Sequence, residues 1–361
     1  MRILFLLHSY YKFNQGGAEL QINYIGNYLA KQGFEVHYLF LHHEVIIDQY
    51  DAPFHLHTIK KSPWGERIFG KAFYYQRLLK RIQEIQPDLI YHRNLSNIML
   101  PALHYANSNH TKTLIHLALQ RDVERDLQYN HLLLRNLLDL LGKSHALKKS
   151  NFIIAQAHYQ NDLLQKNFQR SANLILPNIH PTPLEPLNKK GKTKILWVAN
   201  FKSTKQPQKF IELARAFDQS VEFIMIGRQA KKEEAKRWEH AIQETPNLTY
   251  LGELPIDKVN SIFAQVDIFV NTSLYEGFPN TFIQAWMRKV PVISLHVNPD
   301  NLLTQEQIGL HAKNDQQLIS DTALLIKNPQ LRQSMGERAH KFALNEYALK
   351  NVEKIIQLIQ E

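Results

Sequence analysis

"SLYEGFPNTFIQAW", residues 273–286, follows the apolar run "DIFVNT" at 267–272 and passes through Gly277 and Pro279 into a helical pattern. A buried strand, a polar loop and an immediate helix make one βα step of a parallel sheet. Glu276 stands in that loop. It is either a carboxylate that caps the helix or a grip for the hydroxyls of a ligand whose phosphates face the helix start.

The same step recurs along the chain. In the second half "KILWVAN" from Lys194, "VEFIMIG" from Val221, "NLTYLG" from Asn247 and "PVISL" from Pro291 read as strands. A helix with Phe210, Leu213, Ala214 and Phe217 on one face and another opening at Pro255 alternate with them. In the first half strands are predicted over Ile3–Leu7, Glu35–Phe40, Leu89–His92, Thr113–Leu117 and Phe152–Ala155, with a helix over Ala18–Gln32 that Gly33 closes. Between the halves "LPNIHPTPLEPLNKKGK", residues 176–192, gathers four prolines and a basic run, the composition of a linker. The pattern predicts an α/β protein of two doubly wound, Rossmann-like domains facing across a cleft. The boundaries are 1–180, a linker at 181–193, 194–340, and a last helix within 341–361 that returns to the N-terminal domain. Ligands of such sheets bind at the carboxyl ends of the strands.

Composition narrows the function classes. With 361 residues, 44% hydrophobic and 21% charged, the chain is long enough for two cores and reads as globular. It has no cysteine, which excludes disulfides, thiolate metal sites and cysteine nucleophiles. The apolar start of "MRILFLLHSYYKF" is read as a buried strand because no small-residue cleavage site follows it, and Arg135 and Asp139 interrupt the leucine-rich run from His131. The expected location is cytoplasmic, peripheral on the inner face of the membrane.

Three loops after predicted strands carry the candidate chemistry. In "HSYYKFNQGGAEL", residues 8–20, Gly16 and Gly17 precede a helix and let backbone N–H groups approach an anion; taken alone, a double glycine is more often a turn. In "VANFKSTKQP", residues 198–207, Lys202 and Lys205 either reach a phosphate as point charges or are solvated loop lysines. In the third loop Glu276, Gly277, Phe278 and Pro279 lead to Asn280 and Thr281, whose N–H groups open a helix, and Gln284 lies about 12 Å further along at most.

Taken in this order, the three loops resemble those of the GT-B glycosyltransferases of the family 4, group 1, type. The resemblance spans the chain and is strongest from Ile195 to Leu295. It implies an N-terminal acceptor domain, a C-terminal nucleotide-sugar domain and a retaining, hexosyltransferase-type reaction. The family motif of Glu, seven residues and Glu is met by Glu276 and Gln284, which implies a donor-sugar contact at the first and a ribose contact at the second, here without charge. Of the family's Arg and Lys at the diphosphate, Lys205 matches the lysine while Asn200 replaces the arginine, leaving Lys202 or Arg228 to compensate. Gly16 and Gly17 become phosphate or acceptor contacts. A sugar-facing histidine is best matched by His116, while Arg93, Arg121 and Asp122 are candidates to orient the acceptor. The co-substrate implied is a nucleoside diphosphate sugar, UDP-sugar first, with no cofactor. No metal is implied, in agreement with the lack of an Asp-x-Asp cluster at a strand end. The donor phosphate itself helps to take the acceptor's proton in this reading.

The formal charge of +10 is uneven. Residues 60–81 hold seven basic residues and one acidic residue, interleaved with Trp64, Phe69, Phe73, Tyr74 and Tyr75. That is either a packed helix with a solvated basic face or a dock for an anionic membrane carrying a lipid-linked acceptor. Nucleic-acid binding, the alternative for so basic a chain, lacks any recognised module. The remaining rivals are a catalytically silent nucleotide-sugar binder and an epimerase or phosphorylase of the same fold, although no cofactor lysine of a phosphorylase can be assigned.

Overall fold

The computed structural model describes residues 1–13, 16–43, 53–62, 64–65, 73–93, 95, 98–119, 122–124, 134–229 and 232–361, with backbone alone at 134–141 and 232–237. The chain divides into two compact units, Met1–Ile179 with Leu349–Glu361, and His180–Ala348.

The first unit is a seven-stranded parallel sheet with strand order β3-β2-β1-β4-β5-β6-β7. Its strands are β1 Arg2–Leu6, β2 Glu35–His42, β3 His55–Lys60, β4 Leu89–Arg93, β5 Lys112–His116, β6 Phe152–Ala155 and β7 Leu174–Ile175. Its helices before the linker are α1 Gly17–Lys31, α2 Tyr75–Ile85, α3 Met99–Asn109, α4 Leu134–Lys149 and α5 His158–Phe168. Ile3, Leu4, Phe5 and Leu6 are all fully buried, as expected of a parallel strand covered on both faces. Alternation along β1 then divides the core. Leu4 and Leu6 pack with Leu78, Ile82 and Met99 on one side of the sheet, and Ile3 and Phe5 pack with Ile22, Ile25 and the C-terminal residues Ile355 and Ile359 on the other.

The second unit repeats the winding with six parallel strands, in order β10-β9-β8-β11-β12-β13. These are β8 Thr193–Val198, β9 Val221–Ile226, β10 Leu248–Tyr250, β11 Ile268–Asn271, β12 Val292–Ser294 and β13 Gly309–His311. The helices are α6 Pro207–Arg215, α7 Lys232–Gln243, α8 Ile256–Phe263, α9 Asn280–Trp286, α10 Leu302–Gln305, α11 Asp315–Lys327 and α12 Pro329–Glu346.

The last helix, α13 Glu353–Gln360, belongs to the first unit. Tyr28 of α1 donates to Glu353 at 2.6 Å, and Val352, Ile355 and Ile359 join the α1 core. The crossing falls after Ala348, not at 341, because Ala343 and Tyr347 still pack into the second unit's core. Of the basic segment, Lys60 ends β3, Trp64 and Gly65 are helical and α2 runs from Tyr75, while Pro63 and residues 66–72 lie outside the described residues. Within α2, Leu78 and Ile82 are buried and Arg77 and Lys80 face solvent.

Candidate functional site

In a doubly wound sheet the strand order reverses between two neighbouring strands, and the loops leaving their carboxyl ends part to opposite faces and leave a crevice. In the second unit that point lies between β8 and β11, which pair in register Ile268 with Ile195 and Phe269 with Leu196. Lys205 follows β8 and Glu276 follows β11. They meet there: Lys205 Nζ lies 2.9 Å from Glu276 Oε1, with about a fifth of each side chain exposed.

The loops are built to bring this pair together. Thr272 Oγ1 donates to the carbonyls of Lys205 at 2.7 Å and Gln206 at 3.1 Å, and itself accepts from Trp197 Nε1 at 2.9 Å. Leu274 N donates to Thr204 O at 2.9 Å. The buried indole of β8 thus fixes a hydroxyl at the end of β11, which in turn fixes the loop that presents Lys205. Glu276 is held from its own side: Ser273 Oγ donates to Oε1 at 2.7 Å and Asn271 Nδ2 at 3.2 Å. Asn271, Thr272, Ser273 and Trp197 do not stand out in the sequence as site residues, although "NTS" at 271–273 ends an otherwise apolar strand.

Asn200 and Arg228 sit together in the adjoining loops. Asn200 Oδ1 accepts from Arg228 N at 3.3 Å, and Phe201 N donates to Arg228 O at 2.9 Å. The approach requires a glycine. Gly227 has φ +150, and a Cβ there would stand 1.8 Å from Ala199 O. The Arg228 side chain is exposed and lies 4.0 Å from Glu253, a separation worth little in water. Lys202 is exposed as well.

The helix after Glu276 is short. Pro279 is the N-cap of α9, whose seven residues start at Asn280 and Thr281, so the macrodipole there is small and Lys205 is the main local source of positive charge. Gly277 and Pro279 are buried, and the Phe278 ring packs at 5.3 Å from Tyr347 and 6.4 Å from Trp286. What Phe278 can offer a ligand is backbone, not ring. Gln284 is also buried: its Nε2 donates to Asn260 Oδ1 at 2.8 Å, and its carbonyl accepts from Arg288 at 3.2 Å.

The first unit's candidates are placed differently. Gly16 caps α1 in an extended conformation, φ −73 and ψ 158, and Gly17 starts the helix. Neither has positive φ. Glu19 already puts a carboxylate in that first turn.

His116 does not present a ring to a ligand. It is 1% exposed. Nδ1 accepts from the Tyr91 hydroxyl at 2.6 Å and Arg93 at 3.0 Å, and Nε2 donates to Leu176 O at 3.1 Å. Burial, reinforced by the Arg93 charge, holds its pKa well below the usual imidazole value, so the ring is neutral. The histidine expected to face the sugar thus has both ring nitrogens engaged inside the sheet. Arg93, equally buried, also donates to Asn178 Oδ1, and desolvation brings its pKa down to about 10. Asp122 is buried and accepts from the N–H groups of Ala118 and Leu119, each at 2.9 Å. It thereby shapes the loop after β5. Arg121 lies outside the described residues.

Two sequence families match the chain. Residues 183–342 match "Glycosyl transferases group 1" and residues 15–178 match "Glycosyltransferase Family 4". The chain belongs to the GT-B glycosyltransferases of this family 4, group 1, type. An uncharacterized glycosyltransferase of Haemophilus influenzae is 22% identical over 354 residues, 95% of this chain and 94% of that one. Sucrose-phosphate synthase from Thermosynechococcus elongatus superposes with a TM-score of 0.83 at 14% identity, covering 99% of this chain and 98% of the other. Anabaena HepE, solved in complex with UDP and glucose, gives 0.76 at 15% identity, with 100% and 99% coverage. Among the described residues no helix is long and apolar enough to cross a membrane.

Proposed function

We propose that this glycosyltransferase is retaining and metal-independent and moves a hexose from a nucleoside diphosphate sugar, UDP-sugar first, to a glycan or lipid-linked acceptor in cell-surface polysaccharide synthesis. The observation that carries the reading is the Lys205–Glu276 pair at the switch point of the second sheet. A partly exposed pair of this kind contributes only about 1 kcal/mol or less to stability. It separates at small cost when a diphosphate takes the lysine and sugar hydroxyls take the carboxylate. UDP and glucose bound by Anabaena HepE, a structure of the same fold, favour a nucleotide sugar as donor.

In the transfer the bond between the sugar's anomeric carbon and the donor oxygen breaks, and its electron pair stays on the diphosphate. The acceptor oxygen bonds to that carbon on the same face, and its proton passes to a phosphate oxygen. Negative charge grows on the leaving group, where Lys205 and the first N–H groups of α9 supply fixed positive ends. Glu276, held by Ser273 and Asn271, orients the sugar through its hydroxyls. The segment from Lys60 to Arg81 brings the protein to an anionic membrane at about 1 kcal/mol per basic residue near the surface.

The test is nucleotide release from a panel of UDP-, GDP- and ADP-sugars, with and without EDTA, beside Glu276→Ala. Release from one donor that survives EDTA and is lost in the variant is the expected result. Binding without release, with acceptors supplied, would turn the reading to a silent relative, and a sugar epimerised without transfer would turn it to an epimerase.

A further inference from the structure

The amino ends of β2 and β3 hold a group of side chains that the transfer reaction does not use. Strand pairing places His37 directly beside His55 and Leu39 beside His57, and Glu35, two residues before His37, shares its face. One ligand atom each from Glu35, His37 and His55 lie within 4.8 Å of one another. His37 Nε2 is 2.9 Å from Glu35 Oε1, and its Nδ1 is 2.8 Å from His57 Nε2. The His37 ring stands 4.7 Å from that of His55 and lies parallel to that of His57, with centroids 5.1 Å apart.

We propose that Glu35, His37 and His55 form a binding site for one divalent transition ion, Zn²⁺ by ligand type, with His57 orienting His37 from behind. Two imidazoles and a carboxylate are the donor set that such an ion takes in tetrahedral geometry, with water as the fourth ligand. Tetrahedral bonds of about 2.0–2.1 Å put ligand atoms about 3.3 Å apart. His37 Nε2 and Glu35 Oε1 already face one another across a similar gap, so an ion replaces the proton between them. His37 then keeps its other proton on Nδ1, where the 2.8 Å contact lets it donate to His57 Nε2, the outer hydrogen bond that fixes a ligating imidazole. His37 is 8% exposed, so its ring is set before any ion arrives.

Arg2 opposes the site, because its Nε donates to the same Oε1 at 2.8 Å and it brings a second cation. The imidazoles therefore supply most of the affinity. The ion would tie β3, at the end of the sheet order, to β2.

The experiment is calorimetric titration of Zn²⁺ alone into the full chain after chelator treatment, with Co²⁺ as a spectroscopic substitute. One ion per chain at micromolar Kd or tighter, with a tetrahedral Co²⁺ spectrum, is expected. His55→Ala and Glu35→Gln, both at exposed positions that leave the buried His37 intact, should each weaken binding by at least about tenfold, a loss seen even for outer partners. No binding, several weak sites, or one site unchanged in both variants overturns the assignment.

Discussion

The two units wind in the same order and each puts a cation near its switch point, yet the cations have different roles. Arg93 ends β4, beside β1, and is sealed beneath the surface with His116, Tyr91 and Asn178 as its contacts. Lys205, beyond β8, keeps about a quarter of its side chain in solvent and pairs with a carboxylate. Position at a strand end nominates a residue; exposure and partner decide what it does. A buried guanidinium bonded to a neutral ring and an amide braces a sheet, whereas a partly exposed ion pair can be taken apart by a ligand.

The largest effect expected from this contrast is on turnover. Lys205→Ala should lower transfer by about a hundred to a thousandfold, the loss typical of one fixed donor to a developing anion. Its melting temperature should stay close to that of the parent, because a pair that is still partly exposed adds only about 1 kcal/mol or less. The double variant with Glu276→Ala should lose less than the sum of the single losses, since the two residues serve one donor. Additive losses would divide the pair into two independent functions.

His116→Ala should behave in the opposite way. Removing the ring strips an acceptor from buried Arg93 and Tyr91, at about 1–3 kcal/mol for each donor left unmatched. Denaturant unfolding measures this loss, while kcat in the folded fraction stays near the parent value. A hundredfold fall in kcat at unchanged stability would restore a catalytic histidine and break the contrast.

The same residue gives a pH signature. His116 has a folded pKa lowered by burial, while its unfolded pKa is near 6.5. Below about pH 6.5 the unfolded chain therefore binds a proton that the native one does not, and stability falls as pH falls toward the folded value. In the second unit His180, brought down to about 4 by burial and by the Arg288 charge, adds the same trend. The stability deficit of His116→Ala should thus shrink between pH 7.5 and pH 5. A constant deficit would mean that the ring does not stay neutral.

Much of this arrangement is legible in the sequence, and the rest is hidden for definite reasons. The continuous apolar runs from Ile3 and Phe152 reveal their strands because parallel strands are covered on both faces. β3 is missed because "HLHTIK" places imidazoles and a threonine where such a run would be apolar. Lys205 and Glu276 can be read from their place after strands and from the family pattern. The burial of His116 cannot, since it depends on Leu176 and Arg93, distant in the chain and brought together only by the sheet. Gln284 likewise reads as a polar group facing a ligand until Asn260 appears opposite its amide.

The smallest expected effect concerns the missing arginine. Asn200 is exposed, and its side chain accepts from the backbone of Arg228, so the loop geometry rests on that amide while the nearest added charge, Arg228 itself, points toward Glu253 in solvent. If Lys205 carries the diphosphate largely alone, Asn200→Arg should lower the donor KM by a few fold, with kcat little changed. A second cation on ground-state phosphates gives uniform binding, of about 1 kcal/mol when it is this exposed. Should kcat rise along with the affinity, the added charge would be acting on the leaving group itself, and the bond being broken would lie closer to residue 200 than the Lys205–Glu276 pair suggests. An unchanged KM would instead identify Arg228 or Lys202 as the existing second cation, which Arg228→Ala and Lys202→Ala would then separate by their own rise in KM.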